Sequence, residues 1–544
     1  WHTPLVWAAV KNKPDAVRAL LEHGAALGVA PDGRTLEQIA RVAGHENIVA
    51  LLKQYEHFDT TQAGRVRLFV NNACPDHHIR GPWHHVMARN TAERLLRQHP
   101  EIADDSFYTA IICGNRAEVE RVLAVDPDAA NRKGGPKNWE PLLYLCFTRL
   151  PHDSVGENAV AIAQLLLDRG ADPNVYFMAG GSRYTPLVGA IGEGEEDRPP
   201  HQRRDELVEL LLERGAEPYD IQVIYNIHFH GHVLWFLKLM HTYALRRGRA
   251  ADWQDPEWSM LDMGGYGSGA RWHLDLAVKH NDLELAEWAL AHGANPDAPP
   301  ARDPRFPKGT PCEEALRRGH AELADLLLRH GATRVEVEPN REAEFVAACL
   351  RLDRGQVKQL LKGHPEFLES TAALFAAAKQ NRADVVAFLL DLGVSPDLEN
   401  ETRERTLHIA AYSDAVDVAA LLIERGAEID PVESNWENTP LAAAVHAASD
   451  RTIALLGRYS SDVWNLVFTG QVDRLRTLLA EQPDLARTVS QDGSTLLMWL
   501  PDDEQRARDI VELLLSYGAD PAVRNQEGRT AADYAARRGM AVGL

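Results

Sequence analysis

Apolar and polar positions along this chain follow a helical rhythm that keeps stopping and restarting. Residues 207–218 read Leu-Val-Glu-Leu-Leu-Leu-Glu-Arg-Gly-Ala-Glu-Pro. Apolar residues three and four apart share one helix face, and a glycine just past the last turn supplies a left-handed stop. The same pattern returns at 164–173, 285–296, 325–332, 420–427 and 511–521, each time closing on Gly-Ala. Each predicts a short helix buried along one side.

A second signal precedes these helices. Thr3-Pro4-Leu5, Thr185-Pro186-Leu187, Thr310-Pro311 and Thr439-Pro440-Leu441 open short segments of small apolar residues, as do Thr35, Thr406 and Thr530. Threonine caps a helix start, and proline fits the first helical position, where its missing N–H costs nothing. Thr3 to Thr35 is 32 residues, and Thr406 to Thr439 is 33. Gly393 to Gly426 is also 33. Other units end on proline instead: His99-Pro100-Glu101, Asp126-Pro127-Asp128, His364-Pro365-Glu366 and Gln482-Pro483-Asp484. Both kinds together predict about thirteen to fifteen helix-turn-helix units.

This pattern resembles ankyrin repeats, whose signature is Thr-Pro-Leu-His-x-Ala at a period near 33. The best copy here is Thr406-Leu407-His408-Ile409-Ala410-Ala411. The resemblance implies an all-α ankyrin-repeat solenoid, with loop fingers and inner helices lining a concave face. The organisation expected is ankyrin repeats at 1–56, a degenerate repeat at 57–105, and repeats at 106–218. An aromatic and histidine-rich insert follows at 219–271, then repeats at 272–334, a linker at 335–341 and C-terminal repeats at 342–544. The insert resembles one found in some bacterial multi-ankyrin proteins. Residues 193–200, with four acidic side chains before Pro199 and Pro200, are expected to form a solvated loop tip.

Composition narrows the function. The formal net charge is −21, from 79 acidic against 58 basic side chains, which disfavours nucleic acid and anionic lipid as partners. No apolar run approaches the roughly 18 residues of a membrane span. The five cysteines are scattered without a CxxC pair, so reduced thiols in a cytoplasmic protein are expected, with no cofactor. The start at Trp1, without Met, suggests a piece of a longer protein, and an upstream removed signal stays open.

Chemistry-bearing residues concentrate in the insert. His228, His230 and His232 would face one metal on a strand but fan apart on a helix, and the following apolar run favours helix; no metal site is expected. His77-His78 and His84-His85 flank Gly81-Pro82-Trp83 and read as a polar loop or helix start. The glycine-rich run 264–269 matches neither a dinucleotide fingerprint nor a P-loop. Asp502-Asp503-Glu504 precedes a helix, where acidic residues favour the positive helix end. Tyr225, Asn226, Trp235, Trp253, Trp258, Tyr266 and Trp272 are candidate ligand-binding residues for a small molecule or sugar. Asp255, Glu257, Asp262 and His228 are the candidate catalytic groups, since two carboxylates at suitable separation hydrolyse glycosides. The alternative for the same residues is a local core. The leading function is a non-catalytic protein–protein interaction scaffold using the concave ankyrin surface. The rival is a hydrolase, glycosidic or other, or a small-molecule-binding protein whose site lies between insert and concave face.

Overall fold

The computed structural model describes residues 4–22, 36–55, 61–77, 79, 81–179, 181–229, 233–249, 269–299, 309–337 and 340–544. Trp253, Asp255, Glu257, Trp258, Asp262 and Tyr266, together with His230 and His232, lie outside the described residues.

The chain is all-α, a solenoid of antiparallel helix pairs. Short inner helices such as Pro141–Phe147, Pro186–Ile191, Thr406–Tyr412 and Pro440–His446 stack side by side, and longer helices back them. Among the described residues the only paired strands are Phe177–Ala179 and Ser182–Tyr184, an antiparallel finger between repeats. The expected caps form. Thr185 accepts from the Val188 amide and Thr439 from Ala442, while Thr310 and Glu313 make a reciprocal capping box. At the best signature copy the cap differs, because Thr406 is already inside the helix and His408 takes over. Its Nδ1 accepts from the Arg405 amide, which leaves Nε2–H to donate to the carbonyls of Pro431 and Asn438 in the next finger. That histidine thereby ties one repeat to its neighbour. Gly215 and Gly426 sit at φ +107° and +81°, as a glycine stop requires.

Burial falls into three cores. One joins Leu5 to Leu52, a second runs from Val66 to Ala332, and a third from Phe345 to Val542. Small residues of the inner helices, such as Ala410, Ala411 and Ala444, are fully enclosed and let helices approach closely. Within 219–271, Ile221–His228 packs on Pro186–Ile191 and on the strand Ser182–Tyr184, and Leu234–Arg246 follows it. Val223, Ile224, Ile227, Phe236 and Met240 bury completely there.

Candidate functional site

The described members of the predicted pocket act as supports. The Asn226 side chain is buried, and its Nδ2 donates to the Gly192 carbonyl at 3.2 Å while its Oδ1 accepts from Gln222. Its backbone carbonyl accepts from Gly194 N–H at 3.1 Å. The Tyr225 hydroxyl donates to Glu195. The His228 ring meets the Tyr225 carbonyl and lies edge-on to Trp272 at 4.8 Å. Trp272 is buried, and Trp235 lies under the Arg204 guanidinium of the preceding outer helix at 4.9 Å. Among the described residues no three His, Cys, Asp or Glu side chains are grouped to hold a metal ion.

Residues 193–200 correct the expectation of a solvated tip in part: Glu195, Asp197, Pro199 and Pro200 are exposed, but other side chains turn inward. Glu196, Arg198 and His201 are all buried, with Arg198 only 1% exposed. The Glu196 carboxylate accepts from the Tyr184 hydroxyl at 2.7 Å and faces His77 Nδ1 at 2.6 Å. Its backbone carbonyl accepts from His85 Nε2 and from Gly81 N–H. Burial works against ionisation of Glu196, but the bonds from Tyr184 and His77 and the charge of Arg198 hold its carboxyl below the ordinary range. The Arg198 guanidinium lies over the rings of Phe147 and Tyr184, at 5.0 and 5.7 Å. Arg149 closes the arrangement by donating to Gly189 and Pro199 carbonyls, both at 2.5 Å, and to Cys146. The loop therefore folds inward and joins the His77 and His85 segment to the ends of two inner helices. Glu196 misled because two of its partners, His77 and His85, lie more than a hundred positions away.

The chain also meets itself across its two large cores. Pro82–Gln98 packs against the C-terminal repeats, with Trp83 edge-on to Phe468 at 5.6 Å. Arg94 Nη2 donates to Asp502 Oδ1 at 2.7 Å, and Arg538 Nη2 donates to the same oxygen at 3.0 Å. Asn90 holds the other carboxylate oxygen at 2.5 Å. Asp502 thus clasps two remote segments, while Asp503 is the actual N-cap of the following helix. A cavity of about 370 Å³ lies in this seam. Asn72, His84 and Thr91 line it from one side, and Arg537 and Arg538 from the other.

From Thr406 to Trp499 the successive inner helices end in aromatic rings. Tyr412 and Trp499 are 57% and 46% exposed. Tyr412 neighbours His446 at 6.3 Å, and Trp499 neighbours Trp464 at 5.8 Å and Phe468 at 6.4 Å. The next finger carries Trp436, 81% exposed. That finger is fixed by the buried Glu433 carboxylate, which accepts from the amides of Asn435, Trp436 and Asn438. These aromatics escaped sequence reasoning, although a signal existed: Tyr412 and His446 end their helices six or seven residues after the motif threonine.

Comparison with known proteins follows the repeats. The ankyrin-repeats family model matches residues 345–433 and 374–466, and the ankyrin-repeat model matches 1–30. No curated protein matches the chain. Among solved structures, an ankyrin repeat domain from Acinetobacter baumannii is 23% identical, covering 31% of this chain and 93% of its own, with TM-score 0.26. The human ASB11 ankyrin repeat domain is 23% identical over 30% of this chain and 90% of its own, with TM-score 0.20. A chain from the Bdellovibrio bacteriovorus predatory endopeptidase Bd0816 in complex with immunity protein Bd3460 is 24% identical over 36% of this chain and 91% of its own, with TM-score 0.24. Ankyrin repeats are generally protein-interaction modules. With the capped helix pairs, the period near 33 and the matching family models in agreement, the chain contains ankyrin repeats, matched directly over residues 1–30 and 345–466.

Proposed function

We propose that this protein is a non-catalytic scaffold that binds a protein partner through the inner-helix ends of its C-terminal repeats. The observation that carries this reading is the row of partly exposed rings from Tyr412 through His446 and Trp464 to Trp499, on successive inner helices. Rings of this kind give large contact area at low entropic cost and are enriched among residues that dominate binding energy. The rigid Trp436 finger, hydrogen-bonded to the preceding finger from Ser434 N–H to the Thr402 carbonyl, presents a further exposed ring in the same repeats. Hydrogen bonds to Asp414, Asn381 and Asp430 lock neighbouring repeats together behind the row, so little order is lost on binding. Site-specific photocrosslinking tests this. A photoreactive residue at Tyr412 or Trp436 should trap a discrete partner in cells, whereas one at the exposed Val125 of an outer helix should not. Equal labelling at all three positions contradicts the assignment.

A further inference from the structure

The seam between Pro82–Gln98 and the C-terminal repeats holds charges that do not balance. Arg94 and Arg538 share the single carboxylate of Asp502, and all three side chains are largely buried. Two guanidinium groups against one carboxylate leave a positive charge in a region shielded from water. Uncompensated buried charge is costly, and a neighbouring anion relieves it. The Arg538 Nε–H is buried and meets no acceptor among the described residues.

This excess borders the cavity. Arg537 and Arg538 face it from the C-terminal side, and His84, Asn72 and Thr91 from the other. Among the described residues, no carboxylate lines it. Ile79, Met87 and Ala88 supply an apolar wall. A volume of about 370 Å³ falls in the range that accommodates small molecules. Guanidinium groups recognise carboxylate and phosphate through paired, charge-assisted hydrogen bonds.

We propose that this seam is a binding site for a small organic anion, a carboxylate or a phosphate ester carrying a compact apolar body. Its head group meets Arg537 and Arg538, and its body rests on Met87, Ile79 and Ala88. Because the arginines and the apolar wall come from segments more than 400 positions apart that meet in the seam, the ligand stabilises their closure and couples small-molecule binding to the shape of the solenoid.

Titration calorimetry and thermal melts of the full chain test the site, with benzoate and phenyl phosphate as probes and benzyl alcohol as the neutral control at constant ionic strength. At least one anion should bind and raise Tm, and the neutral analogue should not; the tighter anion identifies the head group. Arg537→Gln should weaken binding by about ten-fold or more, while Arg537→Lys, which keeps the charge, should lose less. Met87→Trp fills the apolar side and should abolish binding with every arginine kept. Indistinguishable effects of the anions and benzyl alcohol overturn the proposal. So does wild-type affinity in both Arg537→Gln and Met87→Trp.

Discussion

Two repeats of the solenoid, one in each half, differ in how an inner helix is joined to its outer partner. In the C-terminal half, residues 413–415 suffice between Thr406–Tyr412 and Val416–Glu424. Asp414 turns the chain there at φ 49° and reaches forward to the Thr452 amide and to Arg451 of the next repeat. Between Pro186–Ile191 and Arg204–Glu213 the same link takes residues 192–203, which fold inward over Phe147 and Tyr184. A short link leaves the end of the inner helix bare, and a long one covers it. The bare ends carry the exposed aromatics, and the covered ends carry a buried ionic network. In this molecule the regular repeats present surface, and the irregular loop supports the interior.

The largest expected effect is at the clasp between the halves. Asp502→Ala strands two buried guanidinium groups and should cost about 3–5 kcal/mol, read by denaturant unfolding. Asp502→Asn keeps acceptor geometry and should cost less. Glu196→Ala comes next, at roughly 2–3 kcal/mol, because Tyr184, His77 and Arg198 lose their common partner. Its signature should be faster hydrogen exchange around 192–203 without change in the C-terminal repeats. Equal protection in both halves of that variant would sink the contrast drawn between them.

Acid should act on the inward loop. Burial lowers His85 to about 4 and His201 to about 3. Their ordinary value is about 6.5, so below it the unfolded chain takes up protons that the folded chain refuses. Their contribution is fully present above about 6.5 and is lost as pH falls toward 4. Asp220, raised by burial to about 6, works in the opposite sense, favouring the fold as pH drops through that value. Asp220→Asn keeps the cap on Val223 but should therefore steepen the acid loss between about 6 and 4. Unfolding followed from pH 7 to 4 checks both signs.

The smallest effect is a gain. Ala448 holds φ +52° at a turn where most other repeats place glycine, asparagine or aspartate, Leu352 being the other exception. Ala448→Gly should stabilise by up to about 1 kcal/mol, seen as a higher Tm.

The repeat architecture was legible because it is local. Thr185, Thr310, Thr439 and the glycine stops act on neighbours within a turn. The candidate sites were not, because their partners are distant. Glu196 meets His77, and Asp502 meets Arg94 across 408 positions. Periodicity shows which face of a helix is apolar; it does not show which loop returns to cover it. Of the described candidates, Trp272 is buried in the core, Trp235 packs against that core and Asn226 braces the loop.

The account depends most on the closure of Pro82–Gln98 against the C-terminal repeats. A double-mutant cycle of Arg94→Ala and Asp502→Ala, read by denaturant unfolding, tests it directly. Residues so far apart in sequence couple only if they touch in the folded chain, and the expected interaction energy is about 1–3 kcal/mol. Additive losses, with a coupling near zero, would contradict the closed arrangement.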